Sequence, residues 1–140
     1  MRTRSWAVAA AAATALVTTA AASPASAAGG VPWSVGHGTA RAEGERSIGR
    51  SGGGVPEVRM NGTLTRTGDG CSSVWLAMQF DFVPAPPRKQ AEVCGDGTVP
   101  VDIRFLLRSP TTTARLTVCQ GTENTRDCAP WQSVTHWPIG

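Results

Sequence analysis

Two rows of strictly alternating apolar residues constrain this chain more than any other feature. Val74, Leu76, Met78, Phe80 and Phe82 share one parity, and so do Val99, Val101, Ile103, Phe105 and Leu107. Successive side chains of a strand point to opposite faces, so such rows describe strands with one buried face. A helix would repeat its apolar set every three or four residues, and these runs do not. Shorter rows follow the same rule. Val58, Met60 and Leu64 oppose Arg59, Asn61, Thr63 and Thr65, while Leu116 and Val118 oppose Arg115 and Thr117. Turn formers separate the runs: Thr67-Gly68-Asp69-Gly70, Pro84-Ala85-Pro86-Pro87, Gly95-Asp96-Gly97 and Ser109-Pro110. About six or seven short strands at this spacing predict an all-β fold, an antiparallel β-sandwich of immunoglobulin-like or jelly-roll-like form.

Residues 28–54 read differently. They are rich in Gly, Ser and Arg, and Ser51-Gly52-Gly53-Gly54 is a flexible break. Val35 to Arg41 is the one stretch there that suits a strand, at the edge of a sheet. The sandwich core is therefore expected in residues 55–140.

Cys71, Cys94, Cys119 and Cys128 all fall in that C-terminal part. Four cysteines allow three connectivities. If the segments starting at Cys71 and ending at Cys94 are antiparallel neighbours joined through the proline turn, these two meet at one end. Cys119 and Cys128 bracket a wholly polar run suited to a hairpin loop. The expected pairs are Cys71–Cys94 and Cys119–Cys128. No Cys-x-x-Cys is present, and the two histidines, His37 and His136, lie far from the cysteines in sequence. No metal site and no cofactor are expected.

The first residues carry an export signature. Arg2 and Arg4 form a basic start, an Ala-rich apolar run follows, and Ala25-Ser26-Ala27 supplies small residues for cleavage. Residues 1–27 are read as a signal peptide. The apolar run is shorter than the ~20 residues of a membrane span. Thr3 separates the two arginines, and no cysteine follows the cut to take a lipid. The expected destination is secretion to the extracellular space, where disulfides persist. Cleavage after Ala27 leaves 113 of the 140 residues, enough for one domain. It also lowers the basic residues from 13 to 11 against 10 acids, a balance of +1. Such a balance argues against nucleic acid as a partner, and a monomer free of the membrane is expected.

Three constellations could carry function. Trp75 has the opposite parity to its apolar row, in line with Gln79 and Asp81, while Trp131 and Trp137 share parity near the C-terminus. Tryptophans beside amide and carboxylate groups suit the binding of a sugar ring or an extended polymer. Trp75, Gln79, Asp81, Trp131 and Trp137 are thus the expected binding residues, with a glycan or a protein as partner. Arg126 stands next to Cys128 in the polar loop, and a stiffened loop with a basic residue could occupy a serine protease as an inhibitor. Gly49-Arg50-Ser51-Gly52-Gly53 fits the nucleophile-elbow pattern with Ser51 at its centre. That pattern works on a strand-to-helix turn, whereas an alternating strand follows here. Asn61-Gly62-Thr63 also fits a glycosylation sequon.

The segments Gly62-Thr63-Leu64, Cys71-Ser72-Ser73-Val74-Trp75, Val93-Cys94-Gly95 and Leu116-Thr117-Val118-Cys119 resemble those of uncharacterised small secreted actinobacterial, Streptomyces-like proteins. Those are disulfide-containing β-sandwiches, and the resemblance implies no activity. The Cys119–Cys128 loop is similar in kind to one in neocarzinostatin-type chromoproteins. The mature size and cysteine number resemble the Streptomyces subtilisin inhibitors, although neither group's cysteine spacing matches. The expected function is a secreted, non-catalytic binding module. A protease inhibitor acting through Arg126 is the alternative, and a small hydrolase using Ser51 comes third.

Overall fold

The computed structural model describes residues 30–135. The expected signal peptide, His136 and Trp137 lie outside the described residues. Nine strands make up the described elements, and two of them are only two residues long. The strands are β1 (Val31–His37), β2 (Ala40–Arg50), β3 (Pro56–Arg66), β4 (Cys71–Phe80), β5 (Val83–Pro84), β6 (Arg88–Cys94), β7 (Gly97–Leu106), β8 (Thr113–Gln120) and β9 (Gln132–Ser133). They form two antiparallel sheets, as the alternation predicts. One sheet has the order β1-β2-β3-β7. In the other, β4 is flanked on one side by β5 and β6 and on the other by β8, which pairs β9.

The apolar rows face each other across one core. Val58, Met60, Leu64, Val101 and Ile103 come from the first sheet, and Val74, Leu76, Leu116 and Val118 from the second. β1 and β7 are the terminal strands of the first sheet, and each contains a proline, Pro32 and Pro100. Both disulfides form as expected, Cys71–Cys94 across β4 and β6 and Cys119–Cys128 at the end of β8.

The N-terminal segment corrects the sequence-based expectation. Val35–Arg41 is not one strand, because the chain reverses at Gly38-Thr39, where Gly38 takes φ +59°. Two long strands result instead, and they bring Trp33, Val35, Ala40 and Ala42 into the core. Small residues hid this. Ala40, Ala42 and Gly44 take the first inward positions of β2 and the buried Arg46 the next, so β2 lacks the bulky apolar row that marks a strand by eye. The division at residue 54 falls in a hairpin turn within the sandwich.

The row in β4 also ends earlier than its parity suggests. Met78 is half-buried, Phe80 is 38% exposed and Phe82 is 78% exposed. Phe80 pairs Val83, and Asp81 and Phe82 form the turn between them, with φ +48° and +67°. Once the chain turns, parity no longer reports a face. A left-handed conformation costs a bulky L-residue about 1–2 kcal/mol. Phe82→Gly is therefore expected to stabilise the fold by about 1 kcal/mol, since little burial is lost. A urea titration showing no rise in midpoint would rule this out.

Arg66 sets the crossing from the first sheet to the second. Its buried guanidinium donates to the carbonyls of Gly68 and Asp69 and to Ser72 Oγ, the last at 3.1 Å. One side chain thereby satisfies three acceptors of the turn that leads into β4.

Candidate functional site

The outer face of β4 presents Ser73, Trp75, Ala77 and Gln79. By register these lie beside Cys119, Thr117, Arg115 and Thr113 of β8. The two halves of this face have different fates. Over the upper half, residues 120–131 fold back onto the sheet. Ser73 Oγ donates to the Gly121 carbonyl at 2.6 Å, and Thr117 Oγ1 donates to the Ala129 carbonyl at 2.7 Å. The Gly121 N–H donates to the Cys71 carbonyl at 2.8 Å. Ser73, Thr117 and Cys119 are consequently fully buried although they point away from the core between the sheets. Polar residues suit this layer because each finds a backbone partner.

The lower half stays open. Ala77 and Gln79 of β4 and Thr113 and Arg115 of β8 form the floor of a groove of about 260 Å³. Pro84, Ala85 and Pro87 wall it on one side, and Thr125 and Trp131 close the other. Rigid strands hold the floor, and the Cys119–Cys128 loop, which contains Thr125, holds part of the wall. This gives an aromatic ring, an amide, a guanidinium and two hydroxyls around one concavity, the composition of a small-ligand site. The proline segment has a second cleft of about 250 Å³ on its inner side, lined by Leu76, Met78, Phe80, Ala85, Pro86 and Arg88. That cleft has Arg88 as its one polar side chain, whereas the outer groove adds an amide and two hydroxyls to its one guanidinium, so the outer groove is the stronger site.

The expected binding residues separate. Gln79 and Trp131 come together in the groove. Trp75 sits on the outer face as its parity predicts, but it is half-buried and its Nε1–H donates to Ser73 Oγ at 2.8 Å. It supports the floor and is not a free stacking platform. Asp81 leaves the group altogether. It occupies the β4–β5 turn and accepts a hydrogen bond from Thr111 Oγ1 at 2.5 Å. Hydrogen bonds from Thr111 and then Ser109 hold its carboxyl below the usual aspartate range. Trp137 lies outside the described residues.

Arg115, Thr113 and Thr125 were missed as site residues. The outward parity of Arg115 is readable beside Leu116 and Val118, but its place next to Ala77 depends on the pairing of β4 with β8, which is non-local.

The other two constellations are also placed. Arg126 is exposed in the loop, and its N–H donates to Asn124 Oδ1 at 3.0 Å. This Asx hydrogen bond bends the chain there. Ser51 lies in the β2–β3 hairpin turn, where its N–H donates to the Val55 carbonyl at 2.9 Å. A strand follows, not a helix. His37 pairs with Asp127, Nε2 to Oδ1 at 2.7 Å, at the far end of β2 from Ser51. β2 has 11 residues, which at strand rise places them roughly 33 Å apart. No family model matches this chain, and neither a curated protein nor a solved structure matches it.

Proposed function

We propose that the chain is an exported, non-catalytic binding module whose ligand is a saccharide, held in the groove between Pro84–Pro87 and the Cys119–Cys128 loop. The observation that carries this reading is the convergence of Trp131, Gln79 and Arg115 on one concavity whose floor is two paired strands. A sugar ring offers an apolar C–H face and a rim of hydroxyls. An aromatic side chain accommodates the first, and amide, guanidinium and hydroxyl groups accommodate the second. The volume of about 260 Å³ is at the small end of ligand pockets and suits a ring or two of a chain that continues into solvent. Two disulfides accord with an oxidising, extracellular location. Among the described residues, no helix is long and apolar enough to cross a membrane. The bent backbone at Asn124–Arg126 gives less support to inhibition, because bound peptides are commonly read as extended strands.

Tryptophan emission titrated with soluble peptidoglycan fragments, chitin oligomers and cello-oligomers tests the reading. At least one series is expected to shift the emission. Trp131→Ala is expected to weaken that binding at least tenfold, in the range of an aromatic anchor, with an unchanged melting temperature. A flat titration with all three series overturns the proposal.

A further inference from the structure

We infer that the groove selects a saccharide bearing a carboxylate, with Arg115 as the residue that reads the charge. The inference rests on the saccharide reading above and narrows it to a ligand class. Arg115 is the one charged residue lining the groove, and no carboxylate lines it. The acids on neighbouring elements are engaged elsewhere. Asp81 is held by Thr111 in its turn, Asp127 by His37, Glu92 by Lys89, and Glu123 accepts from Thr122. Among the described residues, no acid forms an ion pair with Arg115. A cation without an internal counter-charge is thus aimed at the space a ligand would fill.

The backbone of Arg115 is fixed in mid-sheet, paired on one side with Ala77 and on the other with Ser133. Its backbone is thus already ordered, and only side-chain rotamers remain to be fixed when its fork engages a ligand. The planar guanidinium matches a carboxylate through two parallel N–H···O bonds. Gln79 stands one step further along β4 on the same face, opposite Thr113. Its amide can donate to the same carboxylate or to a ring hydroxyl. A neutral sugar would leave the guanidinium with only hydroxyl acceptors, which is the weaker arrangement.

Two matched pairs of probes test this by calorimetry on the mature chain. One is tetragalacturonate against its fully methyl-esterified form. The other is the disaccharide of N-acetylglucosamine and N-acetylmuramic acid against chitobiose. The acidic member of at least one pair is expected to bind tenfold or more tightly than its neutral partner. In Arg115→Gln that preference should fall to near unity, with the acidic member losing at least tenfold more affinity than the neutral one. In Trp131→Ala both members should weaken together. Arg115 is exposed, so its replacement leaves the fold intact, which an unchanged melting temperature would verify. If neither acidic member binds more tightly than its partner, or if the preference survives in Arg115→Gln, the inference is overturned. Binding of a neutral glycan in the earlier titration would then leave the saccharide reading standing alone. Absence of binding by every glycan overturns both.

Discussion

Gly62→Ala is expected to destabilise the protein by about 3 kcal/mol or more, an overpacking cost that the backbone cannot relieve. Gly62 of β3 pairs directly with Gly44 of β2. A Cβ on Gly62 would lie 2.2 Å from the Glu43 carbonyl oxygen and 2.9 Å from the Gly44 Cα. A Cβ on Gly44 would lie 2.0 Å from the Asn61 carbonyl oxygen. Every one of these neighbours is main chain, so no side chain can swing aside. The strands themselves would have to part, in the middle of a ladder of 11 pairs. Gly52 provides the control, since a Cβ there meets nothing within 4 Å. Gly52→Ala is expected to be neutral or to stabilise by up to about 1 kcal/mol through a less flexible unfolded chain. Urea unfolding of the three proteins gives the comparison. A loss below about 1 kcal/mol for Gly62→Ala would show that the two strands are not so closely apposed.

Removing the disulfides should have the second large effect, and the two should differ in kind. The bridges close loops with sequence separations of 23 and 9. Chain entropy assigns each about 3 kcal/mol, slightly more for the longer loop. A domain of this size has only about 5–15 kcal/mol in total. Replacing all four cysteines with alanine is therefore expected to leave the chain largely unfolded at 37 °C. The single-bridge variants separate stability from function. Without Cys71–Cys94 the remaining folded protein should bind its ligand normally, because that bridge lies away from the groove. Without Cys119–Cys128 the loop that carries Thr125 loses its tether, and affinity should fall at least tenfold even where the protein is folded. Equal affinity in both variants would show that the loop does not wall the site.

The parts of the fold that could be read from the chain were those where one residue's neighbours in sequence decide its environment. Alternation in β3, β4 and β7 reports a buried face directly, and both cysteine pairs follow from which strand ends meet. β2 was hidden because its inward positions hold Ala40, Ala42 and Gly44, too small to form an apolar row, followed by the charged Arg46. Trp75 shows the limit of parity. Its face was correctly legible, whereas its half-burial depends on the 120–131 segment folding over the sheet, which no local pattern encodes. Asp81 shows the complementary failure. It shares parity with Gln79, but the turn at Phe82 redirects it to Thr111. Arg115 and Trp131 meet only through the pairing of β8 and the return of the chain to β9, contacts between segments far apart in sequence.

Pro32 and Pro100 have a consequence for how the molecule behaves in company. Each lies in a strand bounding the first sheet, and a proline inside a strand is tolerated only with its nitrogen on the unpaired side. Both outer rows of that sheet therefore lack a donor, near the start of β1 and within β7. An incoming strand from another chain would find its register of hydrogen bonds interrupted on either side. In the other sheet β6 is the outer strand on one side, and on the other side the chain returns past Ala129 and Val134, which donate to the Val118 and Ala114 carbonyls. Edge-to-edge addition of another copy is thereby disfavoured along the first sheet.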